Sequence, residues 1–427
     1  MKDSNLARLA EFRQLKKEIR GSEEYLIVGI DAAKEKHQAF FGTATGKTLL
    51  KRLVFENNAE GFTKLLDRGL AIKGQEGLPK VVFGLEPTAN YHKSLGEFLI
   101  KRSLPVVLVA SGAVKHNREL LDGRWDKHDT KDAANVADLI SQGKCLFYDF
   151  PSLEVRDLRG LLSFKRKLKK QEHSLRMRIR NHLVAQYLPE LDKYYGKCES
   201  ENLAIVKWCL NPSAIADLEF EQFYHMVTTR DRGISQRQRL KTIWQMAPNS
   251  VGCEAGQAAQ FEARLLVESL AQLRESISAT DTKIKEICLQ FPAYKYLLSI
   301  PGFGPVISAM TLGAIGDPFR FNNGTQLLKL VGLDLSANRS GKHSANVTPV
   351  ISKKGKAEFR YALYQAALIA SISNKHFRQY FTNKLQGREK ERGIKTKMRV
   401  KLTAKMALIA WTLMKKKEDF DPSYLTI

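Results

Sequence analysis

The amino-acid sequence predicts an α/β domain at the N-terminus followed by two mainly helical regions. Apolar runs of strand length alternate with helical periodicity up to residue 150, and the pattern becomes mainly helical from residue 151 onwards. A chain of 427 residues also exceeds the usual size of one domain. We therefore expect three parts, residues 1–150, 151–290 and 291–427, with an insert near 190–255 that the pattern does not assign.

Strand-like segments define a predicted sheet in the first part. They span residues 25–30, 37–42, 48–55, 80–85 and 105–110. Helical patterns follow at residues 60–70 and 91–102 and from about Thr130 onwards. Short connections join the first three strands, so these are expected to be antiparallel neighbours. The later strands alternate with helices, which is typical of a sheet covered on its faces.

Four carboxylates stand at the ends of these predicted elements. Asp31 closes the first strand and Glu86 follows the fourth. Asp129 and Asp132 are three residues apart, which puts both on one helical face if Asp129 lies at or inside the helix start. Functional groups gather at strand ends in open sheets, so the four side chains are expected to converge. Divalent cations such as Mg²⁺ relieve carboxylate repulsion, which predicts two-metal phosphodiester cleavage or transfer.

Each carboxylate also has an ordinary structural explanation. An acidic residue after a strand is commonly a turn residue, and an Asp before a helix is commonly an N-cap. Asp31 and Glu86, however, follow strands apolar enough to be buried on both faces, where unpaired charge is expensive. Spacing alone leaves three nearby alternatives, Asp122, Asp126 and Asp138.

The charge balance indicates a polyanionic partner. The chain has 69 Lys and Arg against 45 Asp and Glu, a formal net charge of +24, and nucleic acid is the leading candidate. Residues 151–182 hold ten basic and three acidic residues, a ridge that suits a phosphate backbone, although a solvated charged helix is the alternative. The predicted nucleic-acid contacts on this ridge are Lys165, Arg166, Lys169, Lys170, Arg176 and Arg180.

The composition also excludes several classes of protein. No run of about 18 apolar residues exists to span a bilayer, and the N-terminus lacks the apolar core of a signal peptide, so we expect a cytoplasmic location and no membrane partner. The five cysteines are scattered and never have the short paired spacing of a zinc site.

A heptad-like seam runs through residues 266–287. Its members are Leu266, Leu270, Leu273, Ile277, Ile284 and Ile287, with Thr280 as a polar member. This spacing is typical of a coiled coil or antiparallel hairpin, and a seam of this kind can join protomers. Packing against an earlier helix of the same chain explains it equally well.

A glycine-rich turn lies between two apolar helical runs in "SIPGFGPVISA". Gly302 and Gly304 of this turn resemble a helix-hairpin-helix, whose backbone N–H groups contact phosphate without reading sequence. A plain connection between two helices is the alternative.

Ser340 lies in a predicted polar loop bordered by Arg339, Lys342 and His343. A serine hydroxyl needs a base, a metal or a charged neighbourhood to act as a nucleophile, and basic neighbours can hold a scissile phosphate beside it. Ser-Gly in a loop is usually only a turn. Ser336, Ser344 and Ser352 are internal alternatives, and Lys353 and Lys354 are further candidate contacts to nucleic acid.

Six ordered motifs together resemble a known family. They are "GIDAAKEKH", "LEPTANYH", "KHDTKDA", "SIPGFGPVISA", "VGLDLSANRSGK" and "ISKKGKAEFRYALYQAAL". In this order they resemble the DEDD-type insertion-sequence transposases of the IS one-ten class, the bridge-RNA-guided recombinases that are related to pilin-gene inverting proteins. The resemblance covers roughly residues 25–180 and 295–415.

The resemblance implies a specific division of labour. It implies a RuvC-like, ribonuclease-H-type fold for the N-terminal domain, with Asp31, Glu86, Asp129 and Asp132 holding Mg²⁺. Ser340 of the C-terminal transposase domain would attack DNA to form a phosphoserine link. The acidic site of one protomer would complete the serine site of another, which implies a homo-oligomer, either a dimer or a tetramer. A structured non-coding RNA would pair with double-stranded target and donor DNA.

The function predicted from the sequence is therefore an RNA-guided, Mg²⁺-dependent DNA recombinase of a mobile element. One alternative is a RuvC-like metal-dependent junction nuclease in which Ser340 is structural. The other is a non-catalytic nucleic-acid-binding protein.

Overall fold

The computed structural model describes residues 2–122, 129–194, 199–228, 230–336 and 350–425. The chain forms two compact units. The sheet unit comprises Met1–Ser152 and Phe319–Asn322, and the helical unit comprises Leu153–Pro318 and Asn323–Ile427. The expected division into three parts remains a prediction.

The described part of the sheet unit contains six strands and five helices. In chain order they are α1 (Lys2–Glu18), β1 (Tyr25–Asp31), β2 (Lys36–Thr43), β3 (Thr48–Glu56), α2 (Ala59–Gln75), β4 (Lys80–Leu85), α3 (His92–Lys101), β5 (Val106–Leu108), α4 (Ser111–Asp122), α5 (Asp129–Ser141) and β6 (Leu146–Phe147). The helices α1 and α4 and the two-residue strand β6 were not predicted.

One six-stranded sheet contains all these strands, in the order β3-β2-β1-β4-β5-β6. β1, β2 and β3 are antiparallel neighbours, whereas β1, β4 and β5 run parallel, and β6 is antiparallel to β5. The predicted mixed α/β sheet domain and the antiparallel first three strands are confirmed. The ribonuclease-H-type assignment is consistent with this sheet order and remains a prediction.

Strand β1 is buried along nearly its whole length because both faces of the sheet are covered. On one face, Leu26 and Ile30 belong to an apolar cluster with Phe83 of β4 and residues of α2 and α3. On the other face, Ile27 belongs to a second cluster with Ile140 of α5. The helix α5 therefore lies directly on the central strands, and this brings its side chains close to their ends.

The described part of the helical unit consists of helices and two short antiparallel strands. After α6 (Leu153–Arg178) and a π-helical turn (Ile179–Val184) come α7 (Ala185–Tyr187), α8 (Glu199–Trp208), α9 (Pro212–Ala216), α10 (Phe220–Val227), α11 (Ile234–Met246), α12 (Gln257–Leu289), α13 (Ala293–Leu298), α14 (Pro305–Ile315), α15 (Gly324–Val331), β7 (Leu335–Ser336), β8 (Val350–Ile351), α16 (Ala357–Ser373), α17 (Lys375–Leu385) and α18 (Ile394–Lys416). The predicted, mainly helical remainder is confirmed.

Helices α6 and α12 form an antiparallel pair. Ion pairs that join them include Lys165–Asp281, Glu172–Arg274 and Arg178–Glu262. Residue numbers rise along α6 from pair to pair and fall along α12, which shows that the two helices are antiparallel. Seam residues of α12 such as Leu270, Ile277 and Ile284 are buried. The seam therefore packs against an earlier helix of the same chain, which was one of the two explanations that the spacing allowed.

The unassigned insert shares an apolar core with the segment after α6 and with α12. Phe223 and Ile243 belong to one cluster with Ile179 after α6 and Leu270 of α12. Trp244 donates its indole N–H to the carbonyl of Leu218 at 2.7 Å. The insert is thus a small helical layer that is packed on the ends of the α6–α12 pair.

None of the helices in the described part of the chain is long and apolar enough to cross a membrane.

Candidate acidic active site

Two carboxylates stand side by side at the carboxyl edge of the sheet. β1 and β4 are parallel, and Ile30 is in register with Leu85. Asp31 is the last residue of β1, and Glu86 follows β4 with its backbone N–H donating to the Ile30 carbonyl at 3.3 Å. Because the two strands are hydrogen-bonded up to this point, Asp31 and Glu86 are held on neighbouring rigid supports.

Two glycines let α5 approach these strands closely. Gly29 and Gly84 are in register on β1 and β4. A Cβ at Gly29 would lie 2.2 Å from the Ala133 carbonyl oxygen, and one at Gly84 would lie 1.9 Å from the Cδ1 atom of Ile140. Only glycine fits at Gly29 without moving the backbone of α5. The paired glycines therefore place the first turns of α5, including Asp132, beside the strand ends.

Asp31, Glu86 and Asp132 line one cleft of about 320 Å³. Three cationic side chains line the same cleft, Lys34, Lys36 and Arg118. Asp129 begins α5 three residues before Asp132, but its side chain lies outside the described residues. The structure thus brings three of the four predicted carboxylates to one place, together with cations that suit a phosphate.

Asp132 is buried and forms an ion pair with Arg118 of α4. It is 2% exposed. The Nε atom of Arg118 donates to the Oδ1 atom of Asp132 at 2.8 Å, and the second guanidinium contact reaches the same oxygen at 2.5 Å. This pair compensates a carboxylate that would otherwise be buried without a counter-charge.

The donor set suits a hard divalent cation, because carboxylate oxygens are the ligands that such ions prefer. Within the described ranges, no three Asp, Glu, His or Cys side chains form a ready-made ion site. Asp132 contacts Arg118 of α4. We conclude that the residues fit a divalent cation in their chemistry, with Asp31, Glu86 and Asp132 as the described candidates.

The loop after Asp31 is held by a buried histidine. The Ala33 backbone N–H donates to the Nδ1 atom of His37 at 3.0 Å. The His37 ring lies against Phe55 and Phe62, with ring centroids 5.1 and 5.9 Å away. Burial lowers the pKa of His37, so the neutral form that accepts this hydrogen bond is favoured.

The alternative aspartates have other positions. Asp138 of α5 accepts hydrogen bonds from Asn117 at 2.8 Å and Gln142 at 2.8 Å. It therefore has a structural role between α4 and α5. Asp126 and the side chain of Asp122 lie outside the described residues.

The predicted serine nucleophile lies outside the described residues, as do Arg339, Lys342 and Ser344. Ser340 belongs to residues 337–349, between strands β7 and β8. The alternative Ser352 hydrogen-bonds through its hydroxyl to the Asp334 carboxylate, and the side chain of Ser336 is not described. Exposed Lys353 and Lys354 directly follow this short hairpin.

Most of the predicted basic contacts on α6 and on the π-helical turn after it are engaged in ion pairs within the helical unit. Lys165 pairs with Asp281, Arg166 with Glu358, Lys169 with Glu172 and Arg180 with Asp192. The Lys165 side chain is only 15% exposed. Lys170 is exposed, and Arg176 is half-buried with a partner of its own. The predicted contacts with nucleic acid remain a prediction.

The glycine-rich turn connects α13 to α14. Gly302 has a φ of +87°, and a Cβ there would lie 2.4 Å from the Ala366 carbonyl oxygen of α16. Packing therefore requires this glycine whatever else the turn does. Gly304 is the N-cap residue of α14.

Several residues of this site were missed in the sequence, among them Lys34 and Lys36 of the cleft lining. Gly29 and Gly84 interrupt apolar strands, and such glycines often mark a close backbone approach, so this pattern could have revealed them. Arg118 lies in a helix that was not predicted, and no local pattern marks it as a partner of Asp132.

Comparison with known proteins shows two matches to family models. Residues 28–189 match a DEDD-type IS110 model described as a transposase. Residues 294–382 match a model described as the transposase IS116/IS110/IS902 family. The first range contains Asp31, Glu86, Asp129 and Asp132, and the second contains Ser340.

Similar proteins extend over most of the chain. The transposase for insertion sequence element IS1111A of Coxiella burnetii is 22% identical over 424 residues, 98% of this chain and 98% of the relative. An uncharacterized 44.8 kDa protein of insertion element IS116 from Streptomyces clavuligerus is 22% identical over 402 residues, 93% of this chain and 96% of the relative. An uncharacterized 43.6 kDa protein of insertion element IS110 from Streptomyces coelicolor is 22% identical and covers 83% of this chain and 86% of the relative.

Proposed function

The chain belongs to the IS110 class of DEDD-type transposases, and on this premise we propose that it is an RNA-guided DNA recombinase that moves its element through a serine–DNA intermediate. Membership of a transposase family implies a DNA-recombining enzyme in general terms. The guide RNA, the serine step and the choice of Mg²⁺ are the parts that we propose.

The observation that carries the proposal is the cleft at the carboxyl edge of the sheet. Asp31 and Glu86 end neighbouring parallel strands, and Asp132 joins them from α5. Lys34 and Lys36 line the same cleft. In this cleft, carboxylates that can bind a metal ion lie beside lysine side chains that can bind a phosphate. Metal-dependent phosphodiester chemistry requires this combination of groups.

In the proposed mechanism, Asp31, Glu86, Asp129 and Asp132 would hold Mg²⁺. When bound, Mg²⁺ supplies charge stabilisation for the attacking and leaving oxygens of phosphodiester transfer. The buried strands keep Asp31 and Glu86 fixed, so little reorganisation is needed during the reaction. Lys34 and Lys36 attract and orient the DNA backbone.

Ser340 is the proposed nucleophile. Its hydroxyl oxygen forms a bond to phosphorus while the bond between phosphorus and the deoxyribose oxygen breaks, and the proton passes to solvent or to the leaving oxygen. A neighbouring basic group such as Arg339 or Lys342 would hold the phosphate in place. Strand joining reverses these bond changes with a different deoxyribose oxygen.

The proposed assembly follows from the resemblance to the family. We propose a dimer or tetramer in which the acidic site of one copy serves Ser340 of another. A structured non-coding RNA from the element would pair with donor and target duplexes, so that base pairing reads sequence and the protein binds backbone and shape. The exposed basic residues of the helical unit, among them Lys170, Lys353 and Lys354, are the proposed backbone contacts.

The decisive test is the detection of a covalent protein–DNA adduct. Wild-type protein is incubated with a plasmid that carries the element and its flanking non-coding DNA, under conditions in which the non-coding RNA is transcribed. The products are then separated on a denaturing gel. We expect an adduct that Ser340→Ala abolishes and that Ser344→Ala, a control four residues along the chain, retains. Asp31→Asn and Glu86→Gln should each reduce adduct formation by about a hundredfold or more, because each removes charge stabilisation.

Other outcomes, in this experiment or in a transposition assay in cells, would support a different function. DNA cleavage by Ser340→Ala at the wild-type rate would indicate a junction nuclease that uses activated water. Unchanged transposition in cells that carry Asp31→Asn and Glu86→Gln would indicate a nucleic-acid-binding protein without catalysis.

A further inference from the structure

Arg118 is the least expected member of the acidic cleft. It comes from α4, whereas the carboxylates come from β1, from the segment after β4 and from α5. Its side chain is 19% exposed, and that of Asp132 is 4% exposed. A guanidinium that is half-buried against a carboxylate of a proposed metal site has consequences for how that site binds metal.

Both described contacts of Arg118 fall on the same carboxylate oxygen of Asp132. Nε and a terminal guanidinium nitrogen lie 2.8 and 2.5 Å from Oδ1. A divalent cation that used this oxygen would have to approach to about 2.0–2.6 Å. The guanidinium and the cation would then face each other across one atom, and like charges at that distance repel strongly in a partly buried site.

We propose that Arg118 is an internal counter-ion of the acidic site, which holds Asp132 until a divalent cation displaces the guanidinium from Oδ1. This inference rests on the proposed function, because it requires the carboxylates to bind a cation. It goes beyond that function by assigning a positioning residue that controls when the metal site is complete.

The ion pair keeps a buried carboxylate compensated while no divalent cation is bound. The same pair lowers the affinity for the cation, because only the fraction of molecules in which Asp132 is released can bind with all ligands. Removal of Arg118 should therefore tighten cation binding, although it removes a stabilising ion pair. An ordinary structural salt bridge would have no such effect on metal affinity.

The test is a titration of the full chain with Mn²⁺ in the absence of nucleic acid, after treatment with chelator, with free Mn²⁺ counted by electron paramagnetic resonance. We expect Arg118→Met to bind Mn²⁺ roughly tenfold more tightly than wild type. The matched control is Lys115→Met, since Lys115 is an exposed cation one turn earlier on α4. This control should bind Mn²⁺ as the wild type does.

A double-mutant cycle separates direct competition from a general change of charge. In an Asp132→Asn background, Arg118→Met should give little further change in Mn²⁺ affinity, because the oxygen for which the two cations compete no longer carries the charge. An equal gain in both backgrounds would overturn the inference. Unchanged or weaker Mn²⁺ binding by Arg118→Met in the wild-type background would also overturn it.

Two further variants keep the outcome clear. If circular dichroism shows that Arg118→Met does not fold, Arg118→Lys replaces it in the test. A lysine makes fewer hydrogen bonds to Asp132, so this variant should bind Mn²⁺ more tightly than wild type. Equal or weaker binding overturns the inference. Asp31→Asn distinguishes the two proposals. If it leaves Mn²⁺ binding unchanged, the metal-dependent function fails, and if it abolishes binding while Arg118→Met has no effect, only the role of Arg118 fails.

Discussion

His37 shows how one buried side chain supports the carboxyl edge of the sheet, where Asp31 lies. The residue is fully buried and accepts a hydrogen bond from the Ala33 amide, so it fixes the loop that begins just after Asp31. Protonation of the ring would convert the accepting nitrogen into a donor and break this contact. The stability of this region should therefore depend on pH.

We predict that the sheet unit loses stability as the pH falls from about 7.5 to about 5.5. Burial lowers the pKa of His37 in the folded protein, so the unfolded chain takes up a proton first. The stabilisation is fully present above the unfolded pKa of about 6.5 and is lost below it. Hydrogen exchange of the β1 amides, corrected for intrinsic rates, measures this change.

The comparison for this prediction is His37→Asn, which should flatten the pH dependence of β1 protection. The control His116→Asn changes an exposed histidine on α4 and should keep the wild-type dependence. Identical slopes for wild type and His37→Asn would contradict the prediction.

At the level of elements, the contact between α5 and the central strands decides where Asp132 lies. A Cβ atom added at Gly29 of β1 would collide with the backbone of α5, and one added at Gly84 of β4 would collide with the Ile140 side chain. A side chain can rotate away, whereas a helix backbone must shift as a whole. Gly29 is therefore the more demanding position of the two.

We predict that Gly29→Ala lowers the free energy of unfolding of the sheet unit by about 1–3 kcal/mol, as expected for overpacking. The control is Gly74→Ala in α2, where an added Cβ has open space. This control should raise stability by roughly 0.5–1 kcal/mol, because alanine favours a helix. Denaturant-dependent hydrogen exchange of the β1 amides measures both values. Equal effects of the two substitutions would show that α5 does not require the glycine.

At the level of the whole molecule, a net charge of +24 favours binding to nucleic acid, but it does not identify the residues that bind. Many cations of α6 are engaged in ion pairs within the helical unit, so net charge overstates the surface available to phosphates. Lys165 and Lys170 are the clearest contrast. Lys165 is largely covered beside Asp281, whereas Lys170 is exposed.

We predict that Lys170→Ala weakens binding to duplex DNA and lowers the slope of log affinity against log salt by about 1, the loss of one phosphate contact. Lys165→Ala should leave that slope unchanged and instead cost about 1 kcal/mol of stability through its lost ion pair. Fluorescence anisotropy over a series of salt concentrations measures the slope. A larger slope change for Lys165→Ala than for Lys170→Ala would reverse the assignment.

Much of the sheet could be predicted from the sequence because strand patterns are local. The alternation and length of the apolar runs indicated β1 to β5, and the segment 80–85 matches β4 residue for residue. The same local patterns put Asp31 and Glu86 at strand ends. Short connections gave the antiparallel order of the first three strands, since a short loop leaves no other arrangement.

Other features depended on contacts between distant segments. Spacing could not distinguish Asp132 from Asp138, and the structure separates them because α4 presents Arg118 to one and Asn117 to the other. The heptad seam had two explanations until its partner was seen to be α6. Folding brings remote residues together, and only then is it determined which charged side chains pair and which helix packs against a glycine. A single sequence records the local preferences of each segment, whereas the choice of partner is a property of the packed molecule.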